Sequence, residues 1–412
     1  MSGFNYKIDI KDYKIESQIG NGAYGVIYMV KNQVTDKLYV AKVLSAIDPD
    51  DDVSQQSVKN EIKILKECHH PTLIEFRGFS KVDFYGHQKY TLILDYCPNN
   101  SLKTMLVKVH RSKGSIKFTN TNRQIILIGI ARGMLYLHNH RIIHRDLKPD
   151  NVLLDENLYP HITDFGLSQA FQSYEPVMSM SIGMGTPTYM APELFEGGSY
   201  TSKVDVYSFG ILMYEVLTGN EAYPEISGGI KLMNLVSDGY RPEFKGKIKS
   251  SLESLIRQCW SQEPDQRPTF EDIYNFLAYG SDPILGDVDD KEKYFLDDVD
   301  TDEIENYIKL IENDEISKDK NSKVIDELNK KVDKMKEQMD DLKTKPSKKN
   351  VYENKIEELE DEIATMKKER DEQNSKIDKL LNEVSSMKNE RSIMFDHLEE
   401  RVRKRLNVID DR

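Results

Sequence analysis

His144-Arg145-Asp146-Leu147-Lys148-Pro149-Asp150-Asn151 occupies the middle of the chain, and Asp164-Phe165-Gly166 begins thirteen residues after its last residue. Upstream lie the glycine-rich run Gly20-Asn21-Gly22-Ala23-Tyr24-Gly25-Val26 and a lysine, Lys42. A loop that covers phosphates, a lysine that pairs with them, a base for a hydroxyl group and two magnesium ligands are the parts that phosphoryl transfer from ATP requires. A glycine-rich run alone is a weak signal, but four motifs in this order indicate that chemistry.

From these residues the chain resembles eukaryotic protein kinases. The resemblance covers about residues 13–279, roughly two thirds of the chain. It also includes three later segments, at 189–193, 205–210 and 259–268. It implies an α+β, two-lobed fold with a small β-rich N-lobe and a larger helical C-lobe, and a buried ion pair between Glu193 and Arg267.

The resemblance assigns catalytic roles to residues of the central motifs. Asp146 would accept the proton of the substrate hydroxyl, and Asn151 and Asp164 would bind Mg²⁺. Lys148 and Lys42 would lie near the transferred phosphoryl group. Because that group is highly anionic, catalysis would depend on positioning the hydroxyl and on neutralising charge. The expected cofactors are therefore ATP and Mg²⁺.

By the same resemblance, Lys42 pairs with the α- and β-phosphates and is held by a glutamate from a helix. Lys42 lies on a predicted strand over residues 38–44. Glu61 is the candidate glutamate, because it follows nineteen residues later in a predicted helix over 53–66. The alternative for Glu61 is an ordinary solvated helix residue, which its spacing from Lys42 disfavours.

The resemblance also predicts the residues that line the nucleotide site. They are Ile19, Gly20, Asn21, Gly22, Ala23, Tyr24, Gly25, Val26, Val40, Lys42, Leu94, Asp95, Tyr96, Cys97 and Leu153. Asp95, Tyr96 and Cys97 form the expected hinge, whose backbone bonds the adenine base. Val40 departs from the family, which usually has Ala there, and its extra methyl groups crowd the pocket while ATP binding is expected to persist. A Rossmann site would need a helix directly after the glycines, where residues 26–30 indicate a strand.

Two features favour Ser/Thr substrates over tyrosine. Lys148 follows Asp146 by two residues, and Gly185-Thr186-Pro187 resembles the segment of Ser/Thr kinases in which the threonine contacts the catalytic Asp and Lys. The later segments resemble the tyrosine-kinase-like group of Ser/Thr kinases most closely. A side activity on tyrosine stays open.

Control through a phosphorylated activation loop is implied by Arg145, which stands next to the expected base. The segment 168–184 contains several hydroxyl residues, and Ser179 and Ser181 are the candidate phosphorylation sites from their position before Thr186. The alternative is that a flexible loop is serine-rich without being modified.

Charge and cysteine usage narrow the possible classes of protein. The net charge of the 412 residues is −13, and residues 281–412 carry 38 acidic against 27 basic residues, so the acidity belongs mainly to the tail. Neither a large basic face for nucleic acid nor a long apolar stretch for a membrane is present. Three cysteines without paired spacing suggest neither disulfides nor a zinc site. We expect a soluble cytoplasmic protein with protein substrates.

The tail predicts a second module. Around the kinase segment the sequence divides into an N-terminal extension at 1–12, an acidic linker at 280–320, expected to be poorly ordered over 281–300, and a coiled coil at 321–406. Apolar residues of the coiled coil step by three and four, and Pro346 breaks the pattern into two helices. A parallel homodimer is the favoured interpretation. A single solvated helix or an intrachain hairpin is the alternative.

The sequence thus predicts a Ser/Thr protein kinase with a self-association module. The alternative is a scaffold of inactive or weak kinase fold that acts through its coiled coil. The full set of Lys42, Glu61, Asp146, Asn151 and Asp164 argues against the scaffold, and only Val40 favours it.

Overall fold

The computed structural model describes residues 6–22, 25–44, 52–112, 117–170, 186–195, 200–244, 248–282, 286–287 and 296–312. All of these residues fall in one unit, Asn5–Glu315. Ala23, Tyr24, Ser179, Ser181 and the predicted coiled coil lie outside the described residues. Within the described part, every helix is too short or too polar to cross a lipid bilayer.

The N-terminal lobe is a five-stranded antiparallel sheet in the order β1-β2-β3-β5-β4. Its strands are β1 Tyr13–Gly22, β2 Gly25–Asn32, β3 Leu38–Leu44, β4 Phe76–Ser80 and β5 Thr91–Asp95. Side chains alternate between the two faces of a strand. Ala41 therefore packs with Val30 and Ile93 on one face, whereas Val40 and Lys42 lie on the other.

Helix α1 (Asp52–Glu67) is the one α-helix of the N-terminal lobe among the described residues. Its apolar residues recur at helical spacing, and Ile62 and Leu65 are buried. Glu61 lies beside them and is only 5% exposed. A helix was predicted over residues 53–66, within one residue of the observed ends.

The C-terminal lobe is helical. Its helices are α2 Leu102–Ser112, α3 Asn120–Asn139, α4 Lys203–Thr218, α5 Gly229–Ser237, α6 Ser250–Cys259 and α7 Phe270–Tyr279. Helices α3 and α4 are apolar around most of their circumference and form the centre of the core. A β-rich N-terminal lobe and a larger helical C-terminal lobe agree with the predicted two-lobed fold.

Short strands flank the central motifs of the sequence. They are β6 Ile142–Ile143, β7 Val152–Leu154, β8 Pro160–Ile162 and β9 Gln169–Ala170, and they pair as β6 with β9 and β7 with β8. The octapeptide that begins at His144 therefore connects β6 to β7, and Asp164 follows β8 by two residues. A further pair, β10 Ser281–Asp282 and β11 Gly286–Asp287, follows α7.

Residues 301–312 form an additional helix, α8, inside the segment predicted as an acidic linker. Its buried residues are Ile304, Tyr307, Ile308 and Ile311, which belong to the main core. Their spacing of three, one and three is helical, but the acidic residues around them dominate the composition. The resemblance to kinases ends at residue 279 and the acidic composition beyond it predicts a linker, so this helix was not expected from the sequence.

Candidate active site

Asp146 is the centre of a hydrogen-bonded group on the loop between β6 and β7. Its Oδ2 accepts hydrogen bonds from Lys148 Nζ at 2.7 Å and from Asn151 Nδ2 at 2.9 Å. Lys148 Nζ also donates to Thr186 Oγ1 at 3.0 Å. The Asp146 side chain is thereby fixed in one orientation, with a cation on one side and an amide on the other.

Asp205 of α4 stabilises the loop between β6 and β7 through hydrogen bonds. Its carboxylate accepts hydrogen bonds from the backbone N–H groups of His144 at 2.9 Å and Arg145 at 2.8 Å, and from His138 Nε2 at 2.9 Å. Arg145 has a φ of 68°, a strained conformation for a residue with a side chain. Burial of Asp205 opposes ionisation, but the hydrogen bonds outweigh it and lower the pKa of its carboxyl group. An ionised, buried carboxylate therefore stabilises the strained loop.

The two expected magnesium ligands lie at the open end of the β7–β8 hairpin. Asn151 directly precedes β7, and its backbone carbonyl accepts a hydrogen bond from the N–H of Thr163 at 2.9 Å. Asp164 follows in a left-handed conformation with a φ of 67°. Burial acts to raise the pKa of the Asp164 carboxyl group, but Lys42 outweighs it and the pKa is lowered.

The oxygen atoms at this end of the hairpin fit a magnesium ion. Asn151 donates both of its bonds to Asp146 through Nδ2, so its amide oxygen is the atom offered to a cation. Asp164 accepts from Lys42 through Oδ1, so Oδ2 is offered in the same way. Carboxylate and amide oxygens are the ligands that Mg²⁺ takes from proteins.

Lys42 connects the two lobes of the domain through ion pairs. Its Nζ lies 2.8 Å from Glu61 Oε1 on α1 and 2.9 Å from Asp164 Oδ1. Burial opposes the charged form, but the two carboxylates outweigh it and raise the pKa of Lys42 above its ordinary value. Lys42 is therefore a fixed cation that faces the side of the sheet where Val40 lies.

The glycine-rich run closes the β1–β2 hairpin, where Gly22 pairs with Gly25. Gly25 has a φ of 136°, and a Cβ atom there would collide with the carbonyl oxygen of Val43 on β3. Only glycine fits this position. Glycine at this position therefore lets the β1–β2 hairpin lie close against β3.

Comparison with known protein families matches residues 13–276 to the protein kinase domain. This stretch is more than half of the chain. The chain belongs to the protein kinase family. The resemblance predicted from the motifs is therefore confirmed.

Individual relatives of this kinase domain are named as protein kinases, and one of the two below is named as a Ser/Thr kinase. RGS domain-containing serine/threonine-protein kinase A of Dictyostelium discoideum is 35% identical over 272 residues, which are 66% of this chain and 23% of that protein. Mitogen-activated protein kinase kinase kinase 7 of Homo sapiens is 30% identical over 278 residues, which are 66% of this chain and 42% of that protein. The matched part thus spans less than half the length of these relatives.

The expected hinge residues lie at the end of β5 and directly after it. Leu94 is buried, and Cys97 is buried enough that the pKa of its thiol is raised to about 12. Asp95 makes a two-pronged ion pair with Arg77 of β4, in which both nitrogen–oxygen distances are 2.6 Å. The side chain of Asp95 is therefore held by the neighbouring strand. Leu153 of β7 bridges to Ser101, just beyond the hinge.

The other predicted nucleotide residues lie around this hinge. Val40 on β3 is the cross-strand neighbour of Leu94, and it is partly buried against the main core. Val26 lies on β2, opposite Val43, whereas Ile19 on β1 is half exposed. The structure thus places Val40 and Leu94 side by side on the same face of the sheet.

Glu193 and Arg267 form the expected ion pair. Arg267 Nη1 lies 2.7 Å from Glu193 Oε1, and Nη2 lies 2.9 Å from Oε2. The Arg267 side chain is fully buried, and it also donates to the backbone carbonyl of Ser261. This confirms the interaction inferred from the family pattern.

Three supporting residues have no role assigned from the sequence, namely Arg77, His138 and Asp205. Arg77 and Asp95 are eighteen residues apart and meet only because β4 and β5 pair. His138 reaches Asp205 from the end of α3. Asp205 is part of the quoted segment 205–210, so its position carried a signal, but its role as acceptor for the loop follows only from the folded geometry.

Proposed function

We propose that this chain is a Ser/Thr protein kinase that transfers the γ-phosphate of ATP to serine or threonine hydroxyl groups of proteins. The observation that carries the proposal is the arrangement of Asp146, which is held by Lys148 and Asn151 beside Thr186. The family match and the names of the relatives support it. So do the ion pairs of Lys42 with Glu61 and Asp164.

The chemistry follows from the fixed positions of these groups. Asp146 accepts the proton of the incoming hydroxyl, while Lys148 keeps a positive charge beside it. Lys42 supplies a second fixed cation for phosphate oxygens. Magnesium-bound ATP supplies the phosphoryl group, and Asn151 and Asp164 are the residues that would hold the metal.

The nucleotide residues belong to the same proposal. Backbone N–H groups of Gly20, Asn21, Gly22 and Gly25 would bind phosphates, together with the run through Ala23 and Tyr24. The apolar residues Ile19, Val26, Val40, Leu94 and Leu153 would enclose the adenine ring, and Asp95, Tyr96 and Cys97 would bind it through their backbone.

Intact mass measurement tests the proposal. Purified wild-type protein and the Asp146→Asn variant are incubated with Mg²⁺ and ATP, and added phosphates are mapped. We expect phosphates on serine or threonine in the wild type and none in the variant. Equal phosphate on both proteins, or phosphate on tyrosine alone, would contradict the Ser/Thr kinase proposal.

Thr186 supports the preference for serine and threonine. Its hydroxyl accepts a hydrogen bond from Lys148, so it belongs to the group around the expected base. This agrees with the resemblance to the tyrosine-kinase-like group of Ser/Thr kinases. Kinetics on matched serine, threonine and tyrosine peptides with wild type and Thr186→Val measure the preference directly.

We further propose that residues 321–406 form a coiled-coil homodimer, broken near Pro346. Two kinase domains on one coiled coil would face each other at up to about millimolar effective concentration, which favours phosphorylation in trans. Sedimentation equilibrium of the full chain and of a chain ending at residue 320 tests this. Identical monomeric masses for both would rule out the dimer.

Ser179 and Ser181 are the proposed activating sites. Arg145 supports this because it directly precedes the expected base in the chain, and its guanidinium donates a hydrogen bond to the Tyr200 hydroxyl at 2.9 Å. Activity of Ser179→Ala and Ser181→Ala, alone and combined, is the test, and an unchanged rate in the double variant would remove the idea.

A cytoplasmic, reducing location is also part of the proposal. Cys68, Cys97 and Cys259 are the three cysteines of the chain, and all are buried as free thiols.

A further inference from the structure

Helix α8 is a buried part of the kinase domain. Ile304 and Ile311 are 0% and 1% exposed, and Tyr307 and Ile308 are also buried. Four buried apolar residues on one face are what an integral core helix shows. The helix therefore packs as tightly as the family's own elements, although the matched kinase segment ends at residue 276.

Polar contacts fix both ends of α8. At its start, the backbone N–H of Asp300 donates to Thr121 Oγ1 of α3 at 2.8 Å. At its end, the Glu312 carboxylate accepts from the Tyr274 hydroxyl of α7 at 2.8 Å and also from the Tyr279 hydroxyl. The position of the helix along α3 and α7 is thus defined by contacts that α3 and α7 supply.

Tyr307 is the residue of α8 that packs against the β7–β8 hairpin, whose open end carries Asn151 and Asp164. Its ring centroid lies 4.5 Å from that of Tyr159, the residue just before β8. Gly129 of α3 provides the space, because a Cβ atom there would collide with the Tyr307 hydroxyl and lie 2.5 Å from Cγ of Pro160. Tyr307, Pro160 and α3 therefore meet at a glycine.

A second glycine of α3 allows the other end of β8 to approach this helix closely. Gly133 lies one turn along α3, and a Cβ atom there would lie 2.8 Å from Cδ1 of Ile162 and 2.5 Å from Oγ1 of Thr72. Strand β8 thus lies against a glycine-lined face of α3. Tyr307 packs at the end of β8 that follows Tyr159. Asp164, an expected magnesium ligand, lies beyond the opposite end.

Strands β7 and β8 are only three residues long, so a displacement at the Tyr159 end extends to the other end. Leu154 pairs with Pro160, and Val152 pairs with Ile162. Beyond these pairs come Asn151 and Thr163, joined by the hydrogen bond from the Thr163 N–H to the Asn151 carbonyl, and Asp164 directly follows Thr163.

We propose that Tyr307 is a positioning residue for the two magnesium ligands. Tyr307 fills the space beside Gly129 and Tyr159. It thereby determines the position of β8 against α3, and through it the position of Asp164 relative to Asn151. This inference rests on the proposed function, because Asn151 and Asp164 are magnesium ligands only in a kinase. It makes α8 part of the catalytic domain rather than of a linker.

The expected effect of Tyr307→Ala is weaker binding of Mg²⁺-nucleotide. Residues that support metal ligands typically contribute tenfold or more to metal affinity, and about tenfold is expected here. Tyr307→Phe keeps the ring and should bind as the wild type does. The ring is the part that matters, because it is the ring that packs against Tyr159.

The experiment uses the full chain with four substitutions. Tyr307→Ala and Tyr307→Phe are compared with Lys309→Ala, an exposed residue of the same helix, and with Leu252→Ala, a buried residue of α6. Leu252→Ala also lowers stability, but its site lies on another helix. Should Tyr307→Ala fail to fold, Tyr307→Leu replaces it.

Two readouts are measured on each protein. The first is the affinity for ADP with and without Mg²⁺, from which the magnesium-dependent gain is obtained. The second is hydrogen exchange in a peptide over 158–166, which contains the Thr163 N–H and needs neither metal nor nucleotide. A loss of the magnesium-dependent gain together with faster exchange, in Tyr307→Ala but not in Leu252→Ala or Tyr307→Phe, supports the inference.

Other outcomes separate the two proposals. If wild type gains affinity from Mg²⁺ and phosphorylates protein, but Tyr307→Ala behaves like Leu252→Ala in both readouts, the positioning role is overturned and the kinase proposal stands. If wild type shows no magnesium-dependent binding, the kinase proposal fails, and unchanged exchange at 158–166 would overturn the mechanical coupling as well.

Discussion

Gly25 illustrates how a single residue limits the nucleotide site. Its φ of 136° and the close approach of the Val43 carbonyl oxygen leave no room for a side chain. The β1–β2 hairpin can therefore lie close against β3 only with glycine at this position. The requirement concerns backbone conformation and space at the same time.

Gly25→Ala is expected to lower the free energy of unfolding by about 3 kcal/mol, because backbone strain of about 1–3 kcal/mol adds to the collision with Val43. Gly86→Ala is the matched control, since Gly86 has a φ of 84° but no atom within 4 Å of the added Cβ. That control should lose only about 1 kcal/mol. Chemical denaturation of both variants measures the difference, and equal losses would contradict the collision.

The Glu193–Arg267 pair is the second prediction at this scale. Glu193→Ala would leave the fully buried Arg267 guanidinium without its carboxylate, and we expect a loss of about 3–5 kcal/mol in the free energy of unfolding. Arg257→Ala breaks an exposed pair with Glu253 on α6 at a similar distance of 2.7 Å. That control should cost less than about 1 kcal/mol. Urea denaturation compares the two, and similar losses would refute the argument from burial.

At the scale of elements, α4 stabilises the loop that carries Asp146. The Asp205 carboxylate of α4 accepts hydrogen bonds from two loop N–H groups and from His138 of α3. One buried side chain thus joins two helices to the loop. The strained backbone at Arg145 persists because these contacts over-determine it.

This contact predicts a pH dependence. The pKa of Asp205 is lower in the folded protein than its ordinary value of about 3.9, so the unfolded state binds the proton more readily. The stabilisation is therefore fully present above about pH 5 and is lost as the pH falls through the lowered folded pKa.

The difference in unfolding free energy between wild type and Asp205→Asn should be about 3 kcal/mol at pH 7, because hydrogen bonds to a charged group are at stake. It should shrink at pH 3. Asp302→Asn, at an exposed position of α8, should match wild type at both values. Urea denaturation at the two pH values is the measurement, and a difference that grows in acid would contradict the assignment.

At the scale of the whole molecule, the folded unit includes α8. A chain that ends at residue 290 lacks α8 and would expose the surface that Ile304, Tyr307, Ile308 and Ile311 cover. Each buried side chain of this kind contributes about 1.5–3 kcal/mol, so a loss of at least about 5 kcal/mol is expected. A chain that ends at residue 315 should keep the wild-type stability of the kinase domain. Calorimetry of the two truncated chains decides, and equal melting temperatures would exclude α8 from the domain.

Much of the site could be predicted from the sequence, since Asp146, Lys148, Asn151 and Thr186 lie in motifs of fixed spacing. The structure brings them within hydrogen-bonding distance, as it does Lys42 and Glu61. Arg77 could not be predicted in the same way. Its contact with Asp95 depends on the pairing of β4 with β5, and pairing register is not a local property of either strand.

The sequence alone determined the family and the chemical groups of this protein, because covalent spacing within short motifs constrains which groups can act together. It also indicated the strand at 38–44 and, through periodicity, the helix at 53–66 of the N-terminal lobe. Only the tertiary structure decided that α8 belongs to the domain and that Tyr307 reaches Tyr159 and Gly129. Such contacts join residues more than 140 positions apart, and burial depends on which surface the rest of the chain presents rather than on local composition.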